Sequence, residues 1–377
     1  MNLRELYLGN DSYWWSSRRQ RNKVSDISAL AGMVNLNRLQ LGTNLVRDLS
    51  PLKDLRGLGY LDLGGCPLKA ESLGVYIPRI VSNNPGVQLE YDRMILVDDD
   101  GPNDPGPDDP LVSDPQEDGS WEHPYDSIRE GIDAVVQGYH VGVIVMDGVY
   151  RGPGNRDIGF GGKNFVLRSD NSPNSCVIDA QGSEAEPHRG FRLSGVFAID
   201  GFTITGGYGE YAGGVYCGGG AAGTISNCII VGNRPEKTGG GIFDITGDAS
   251  SGFSDIVVMY NEPDGISVDA RGHVEYFSGR IRVAGNDIVG GVLFDTDSYT
   301  DLELVDCNVV ASLSGGGRLI VPGGSRLVIG GAHEINIGHI ECGGKLELRD
   351  DAWIRGSSIE IARDSFGIHL YDGGQYN

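Results

Sequence analysis

Leucine returns at a fixed interval in the first hundred residues. Leu36, Leu39 and Leu41 recur as Leu58, Leu61 and Leu63, a shift of 22, and Asp26-Ile27-Ser28 recurs as Asp48-Leu49-Ser50 at the same shift. Leu3, Leu6 and Leu8 form an earlier copy displaced by 33, so eleven residues are inserted between. The insert falls in NDSYWWSSRRQRNK, which predicts a loop carrying Tyr13, Trp14, Trp15 and cationic side chains. Apolar positions in this order predict one short strand per unit, with the leucines buried between neighbouring units.

A second pattern starts near residue 141. Short apolar runs are separated by Gly and Asn, the residues that accept left-handed corners. Gly-Gly-Val-Tyr at 213–216 returns as Gly-Gly-Ile-Phe at 240–243, and Asn233 after CIIVG returns as Asn261 after IVVMY. Val292-Leu293-Phe294 reads as a third echo. The spacing wanders between 24 and 28 residues and shortens over RLIV, RLVI, INIGHIE, KLELRD and IEIARD. Ahead of it, Ile128, Ile132, Val135 and Val136 lie at helical spacing. Asp126 or Ser127 can cap that helix and Gly138 can end it. One helix before a stack of strands predicts a cover for the open apolar end.

The first pattern matches the L-x-x-L-x-L-x-x-N of leucine-rich repeats. With DLSPL and the closing stretch IPRIVSNNPGVQLEYD it resembles the bacterial internalin type. The second carries ILVDDDGPNDPGPDD, EDGSWEHPYDSIREGIDAV, IDGFTITGG, SNCIIVGN and GGGIF. It resembles the right-handed parallel β-helix (pectin-lyase-like) proteins of secreted bacterial multidomain chains. The expected fold is mostly β and a solenoid. Leucine-rich repeats occupy 1–94, an acidic Asp/Pro-rich loop 95–120, and a right-handed single-stranded parallel β-helix with an N-terminal capping helix 121–377. The resemblance implies an extracellular or cell-surface protein. Met1 runs at once into LRELYLGN, the middle of a repeat, so a trimmed piece of a longer protein is expected.

Composition adds three constraints. Sixty glycines in 377 residues are more than twice the usual ~7%, as many tight turns require. Net charge is −22, yet residues 1–94 hold twelve Lys/Arg against nine Asp/Glu, leaving −25 for the rest. So acidic a surface repels a phosphate backbone, and no nucleic-acid partner is expected. No apolar run approaches the ~18 residues of a membrane span. The six cysteines show no zinc-like spacing. Cys228 and Cys307 sit in similar slots and read as buried; a Cys217–Cys228 disulfide is the alternative.

Several clusters could carry chemistry. Asp98, Asp99, Asp100 and Asp104 lie in a stretch with nine Asp/Glu and no Lys or Arg, and hard oxygen ligands at this density suit Ca²⁺. The plain alternative is a solvated acidic linker. Arg234, Glu236 and Lys237 form a corner between strands, with Tyr208, Glu210 and Tyr211 one repeat earlier. The two loops are expected to stack, and Tyr rings suit sugar faces. Corners facing water are polar in any case. Asp264 precedes Asp269, Arg271, His273 and Glu275, which alternate as on one strand face. His123 and His188-Arg189 sit beside turns, where polar residues are ordinary.

The resemblance implies a polysaccharide or surface glycan as ligand. If the protein is catalytic, the resemblance implies β-elimination of a uronate-containing chain ahead of glycoside hydrolysis. Lys237 would be the base, Arg234 or Arg271 would hold carboxylates, and His273 would complete the catalytic set. Tyr208, Glu210, Tyr211, Arg234, Asp264 and Asp269 would bind substrate. The other reading is a non-catalytic adhesion or structural protein, with the leucine-rich face and Trp14-Trp15 binding a protein partner.

Overall fold

A computed structural model describes residues 3–9, 23–100, 114–218, 220–237, 240–242, 256–259 and 261 with their side chains; the remaining strands, as far as Tyr376, are described by backbone alone. The chain is mostly β, and its strands pair in parallel in two sheets.

The first sheet runs Glu5–Tyr7, Arg38–Gln40, Tyr60–Asp62, Gln88–Glu90 in chain order. Leu6 pairs with Leu39, Leu39 with Leu61 and Leu61 with Leu89, so the shifts of 33 and 22 are the sheet's own register. Leu36, Leu39, Leu41, Leu58, Leu61 and Leu63 are all buried in one core cluster. The recurring Asp-x-Ser has a local cause. Asp26 Oδ1 accepts from the Ser28 amide at 2.8 Å and Asp48 Oδ1 from the Ser50 amide at 2.7 Å, starting the short turns Ser28–Leu30 and Ser50–Leu52. Helix α1, Ile77–Asn83, closes this part, and buried Asn84 accepts from the Leu58 amide at 2.9 Å.

The second sheet opens with Met94–Val97 and its strands fall into three files. The first file passes through Gly142–Val145, Val166–Ser169, Val196–Asp200, Ala222–Ser226, Ser250–Ser254 and His273–Ser278. The second passes through Gly148–Tyr150, Cys176–Asp179, Thr203–Thr205, Ile229–Val231 and Val257–Met259. The third passes through Phe191–Leu193, Val215–Cys217, Ile242–Asp244, Ile266–Val268 and Ile288–Thr296. From Val166–Ser169 to Ile266–Val268 each strand pairs with the one three places later, an arrangement compatible with a parallel β-helix.

The registers are irregular in the expected way. Phe191 to Val215 is a step of 24, and Gly223 to Ser251 a step of 28. Further on, Arg326 to Lys345 is a step of 19. Phe191, Val215, Ile242, Ile199, Ile225, Ile178, Ile204 and Ile230 face one apolar interior. Burying each large aliphatic or aromatic side chain contributes about 1.5–3 kcal/mol. Between first and second files the chain turns at Gly201 (φ 90°) and Asn227 (φ 50°), short corners that need left-handed backbone.

Three expectations differ in detail. Helix α2 is Ile128–Ala134, capped by Ser127 in a reciprocal capping box with Glu130. It stops before Val136, which is 56% exposed, because Val135 is extended and buried instead. Val292–Phe294 is not a register copy of Ile242, whose successors are Ile266 and Ile288. Cys66, Cys176, Cys217 and Cys228 are buried free thiols, so Cys217 and Cys228 form no disulfide.

The two sheets are held together by buried polar groups. Arg168, 6% exposed, donates to the Leu68 carbonyl across the junction. Arg47 donates to the Asp170 carbonyl, and Asp170 Oδ1 accepts from the Ala70 amide at 2.8 Å. Ala70, Leu96 and Ile144 form a small apolar cluster beside them, packed with Trp121 and Met146. Among the described residues no helix is long and apolar enough to cross a membrane.

Candidate functional site

Three consecutive loops lead from the second file to the third, at 180–190, 206–214 and 232–241. Backbone hydrogen bonds stack them. The Tyr208 amide donates to the His188 carbonyl at 2.7 Å, Arg234 to Gly207 at 2.8 Å, Glu236 to Gly209 at 2.7 Å and Lys237 to Glu210 at 3.0 Å. Beneath them, buried Asn233 fastens one loop to the next: its Oδ1 accepts from the Gly207 amide at 2.9 Å and its Nδ2 donates to the Ile204 carbonyl at 3.0 Å and to Asn261 Oδ1 at 2.9 Å. The close approach explains the glycines, since a Cβ on Gly207 would fall 1.9 Å from the Gly213 carbonyl oxygen.

The stack brings together six residues singled out in the sequence: Tyr208, Glu210, Tyr211, Arg234, Glu236 and Lys237. Lys237 Nζ lies 2.5 Å from Glu210 Oε1, 3.3 Å from the Tyr211 hydroxyl and 4.8 Å from its ring centre. The hydrogen bond to Glu210, then that to Tyr211, raises the Lys237 pKa above its ordinary value. The ammonium is therefore held charged.

Three further residues join this group, and sequence reasoning did not select them. Arg189 Nε donates to the Tyr211 carbonyl at 2.8 Å, and its guanidinium carbon sits 5.5 Å from the Tyr216 ring centre. Gly209 leaves room for it: a Cβ there would lie 2.7 Å from Arg189 Cζ. Tyr216 in turn pairs in register with exposed Arg192 on the neighbouring strand. One signal was available. In FRL and VYC the apolar neighbours Phe191, Leu193, Val215 and Cys217 point inward, so Arg192 and Tyr216 face out. Next to Arg189, His188 Nδ1 meets Asp157 Oδ2 at 2.7 Å, and the Arg189 amide donates to Asp157 Oδ1 at 3.0 Å.

Asp264, Asp269 and Arg271 lie outside the described residues. His273 begins strand His273–Ser278, which pairs with Ser250–Ser254 in the first file, whereas the stacked loops join the second file to the third. The side chain of His273 lies outside the described residues.

At the end of strand Met94–Val97, Asp98, Asp99 and Asp100 bring one carboxylate oxygen each within 4.8 Å of one another. Asp98 and Asp99 are buried and Asp100 is exposed. Burial, reinforced by the hydrogen bond and negative charge of Asp100, pushes the Asp98 carboxyl above its ordinary range. Asp104 lies outside the described residues. A cleft of about 670 Å³ separates the two sheets, lined by Arg47, Asp92, Arg168, Asp200, Thr224 and Asn227 among apolar side chains.

Compared with known proteins, the chain matches no family model, no curated protein and no solved structure.

Proposed function

We propose that the chain is a leucine-rich repeat segment joined to a right-handed parallel β-helix of the pectin-lyase-like kind, and that it acts outside the cell by binding a uronate-containing polysaccharide on its stacked loops. One observation carries the reading: Lys237 lies over the Tyr211 ring, Arg189 bonds to the Tyr211 carbonyl and lies over the Tyr216 ring, and Arg192 is the register partner of Tyr216, so cations and aromatic residues alternate along the stacked loops. A uronate offers an apolar ring face and a carboxylate in every unit. Tyrosine takes the first, and arginine, with its planar fork, takes the second.

The overall charge does not forbid this. At physiological ionic strength the Debye length is about 8 Å, so distant carboxylates are screened while cations in contact with the polymer are not. Binding fits the geometry better than β-elimination through Lys237. A general base must shed its proton near working pH, and Glu210 holds that proton in place.

Adhesion through the first sheet is a second reading, favoured by its outward row. Arg38 lies 4.0 Å over the Tyr60 ring and 5.9 Å from that of Tyr7, which is 53% exposed.

Affinity electrophoresis tests the proposal. Polygalacturonate or alginate in the gel should retard the chain, neutral galactan should not, and Arg189→Ala with Tyr216→Ala should abolish retardation. Equal retardation by acidic and neutral polymers, or none, overturns it. Loss of retardation on replacing Arg38 and Tyr60 instead assigns binding to the first sheet. Release of unsaturated sugars that survives in Lys237→Ala would exclude Lys237 as a base.

A further inference from the structure

The triple aspartate at the end of Met94–Val97 stands apart from the glycan reading. The strand is tied to the segment 119–125 there: Leu96 donates to the Gly119 carbonyl at 2.9 Å, Tyr125 to the Leu96 carbonyl at 3.1 Å and Asp98 to the Tyr125 carbonyl at 2.9 Å. The backbone thus carries three carboxylates in succession into a turn packed beneath 114–127.

Acidic clusters are common without an ion, and the decisive feature is Asp98. The residue is 7% exposed, and its Oδ1 is sealed from solvent with no hydrogen-bond donor in reach. The charges nearest to it, those of Asp100 and Asp99, are of its own sign. None of the ion pairs among the described residues involves Asp98. A buried carboxylate in such company keeps its proton unless a cation joins it.

The space agrees. Ca²⁺ binds oxygen at about 2.3–2.6 Å, so two ligands on opposite sides of one ion stand about 5 Å apart at most. The three carboxylate oxygens fall within 4.8 Å of one another, inside that limit. Gly148, at the start of strand Gly148–Tyr150, leaves room for the second carboxylate: a Cβ there would fall 2.5 Å from Asp99 Oδ1. Three hard carboxylates without His or Cys suit Ca²⁺. Mg²⁺ keeps several waters and takes one or two carboxylates.

We propose that Asp98, Asp99 and Asp100 bind one Ca²⁺ ion, which pins the end of strand Met94–Val97 to the turn that follows it. The ion turns three mutually repelling carboxylates into one clamp, and the folded chain becomes more stable as Ca²⁺ rises.

The test is titration calorimetry and thermal unfolding of the full chain after removal of metals with EDTA, with CaCl₂ added at constant ionic strength. One equivalent should bind. At a free concentration a hundredfold above Kd, the folded-to-unfolded ratio should rise about 100-fold. Asp98→Asn keeps the shape and removes one charge. It should abolish the Ca²⁺ response and, without metal, unfold no more readily than the parent. Exposed Asp100→Asn should weaken Ca²⁺ at least tenfold while the chain stays folded. A Ca²⁺ response that is absent, that is equal in parent and Asp98→Asn, or that Mg²⁺ reproduces at the same concentration overturns the assignment. So does an Asp98→Asn chain that is less stable than the parent without metal.

Discussion

Replacing Asn233 with Ala tests whether buried asparagines hold the stacked loops in place. Asn233 is fully buried and its amide reaches two neighbouring stretches: the Ile204 carbonyl and Gly207 amide in one and Asn261 Oδ1 in the other, all at 2.9–3.0 Å. Asn261 Oδ1 keeps a second bond, from the Asn233 backbone amide at 2.9 Å. The Gly207 amide and the Ile204 carbonyl lose the bonds that Asn233 gives them, and both residues are buried. At about 1–3 kcal/mol for each buried group left unsatisfied, the variant should lose about 4 kcal/mol, or ~2 if a water fills the space. That is a large part of the 5–15 kcal/mol typical of a native domain. Urea unfolding followed by far-UV circular dichroism measures it as a lower midpoint at unchanged slope. Asn227→Gly is the control: its exposed corner at φ 50° accepts Gly, and the change should be near zero. A loss below about 1 kcal/mol for Asn233→Ala would refute the reasoning.

Asp170→Ala leaves the buried Ala70 amide without its acceptor and should cost about 1–3 kcal/mol; it should also open the junction between the two sheets to limited proteolysis. Lys237→Ala, on an exposed ion pair, should leave the melting temperature unchanged and weaken polygalacturonate binding about tenfold in titration calorimetry. Gly209→Ala should weaken affinity as loss of Arg189 does and also lower the melting temperature, because the new methyl meets both the Arg189 guanidinium at 2.7 Å and the Ala212 carbonyl at 2.8 Å. The His123–Asp114 pair, 2.5 Å apart, sets a pH window. The hydrogen bond to Asp114 raises the His123 pKa above 6.5, and the bond to His123 lowers that of Asp114 below 3.8. The pair's contribution is full between pH 3.8 and 6.5. It fades as pH rises through the raised His123 value and as pH falls through the lowered Asp114 value. Thermal unfolding from pH 3 to 9 should show both losses in the parent, and each should be smaller in His123→Ala with Asp114→Ala.

Periodicity made the strand pairing legible. A leucine that recurs at 22 must sit in register if each copy is to bury its side chains, and Leu39 opposite Leu61 follows from that alone. The same holds for Tyr216 opposite Phe243 and for Asn233 beneath Asn261. The loop stack was readable too, because equal spacing carries the 206–214 and 232–241 corners to the same edge. Arg168 was not readable. Its burial depends on Leu68, a hundred residues earlier, and on a docking that no local pattern encodes. Arg189 escaped for a related reason: a residue beside a turn acquires meaning only when Tyr211 and Tyr216 arrive from the next loop and strand. Val292–Phe294 misled because hydrophobicity recurs more freely than register, and the shortening repeat had already moved the pairing to Ile288.

The most direct measurement is a crystal structure of the chain with a uronate tetramer. The account places a sugar ring against Tyr216, with carboxylates on Arg189 and Arg192 and the polymer running toward Tyr211 and Lys237. Sugar bound only on the Tyr7–Arg38–Tyr60 row or in the cleft between the two sheets would contradict it.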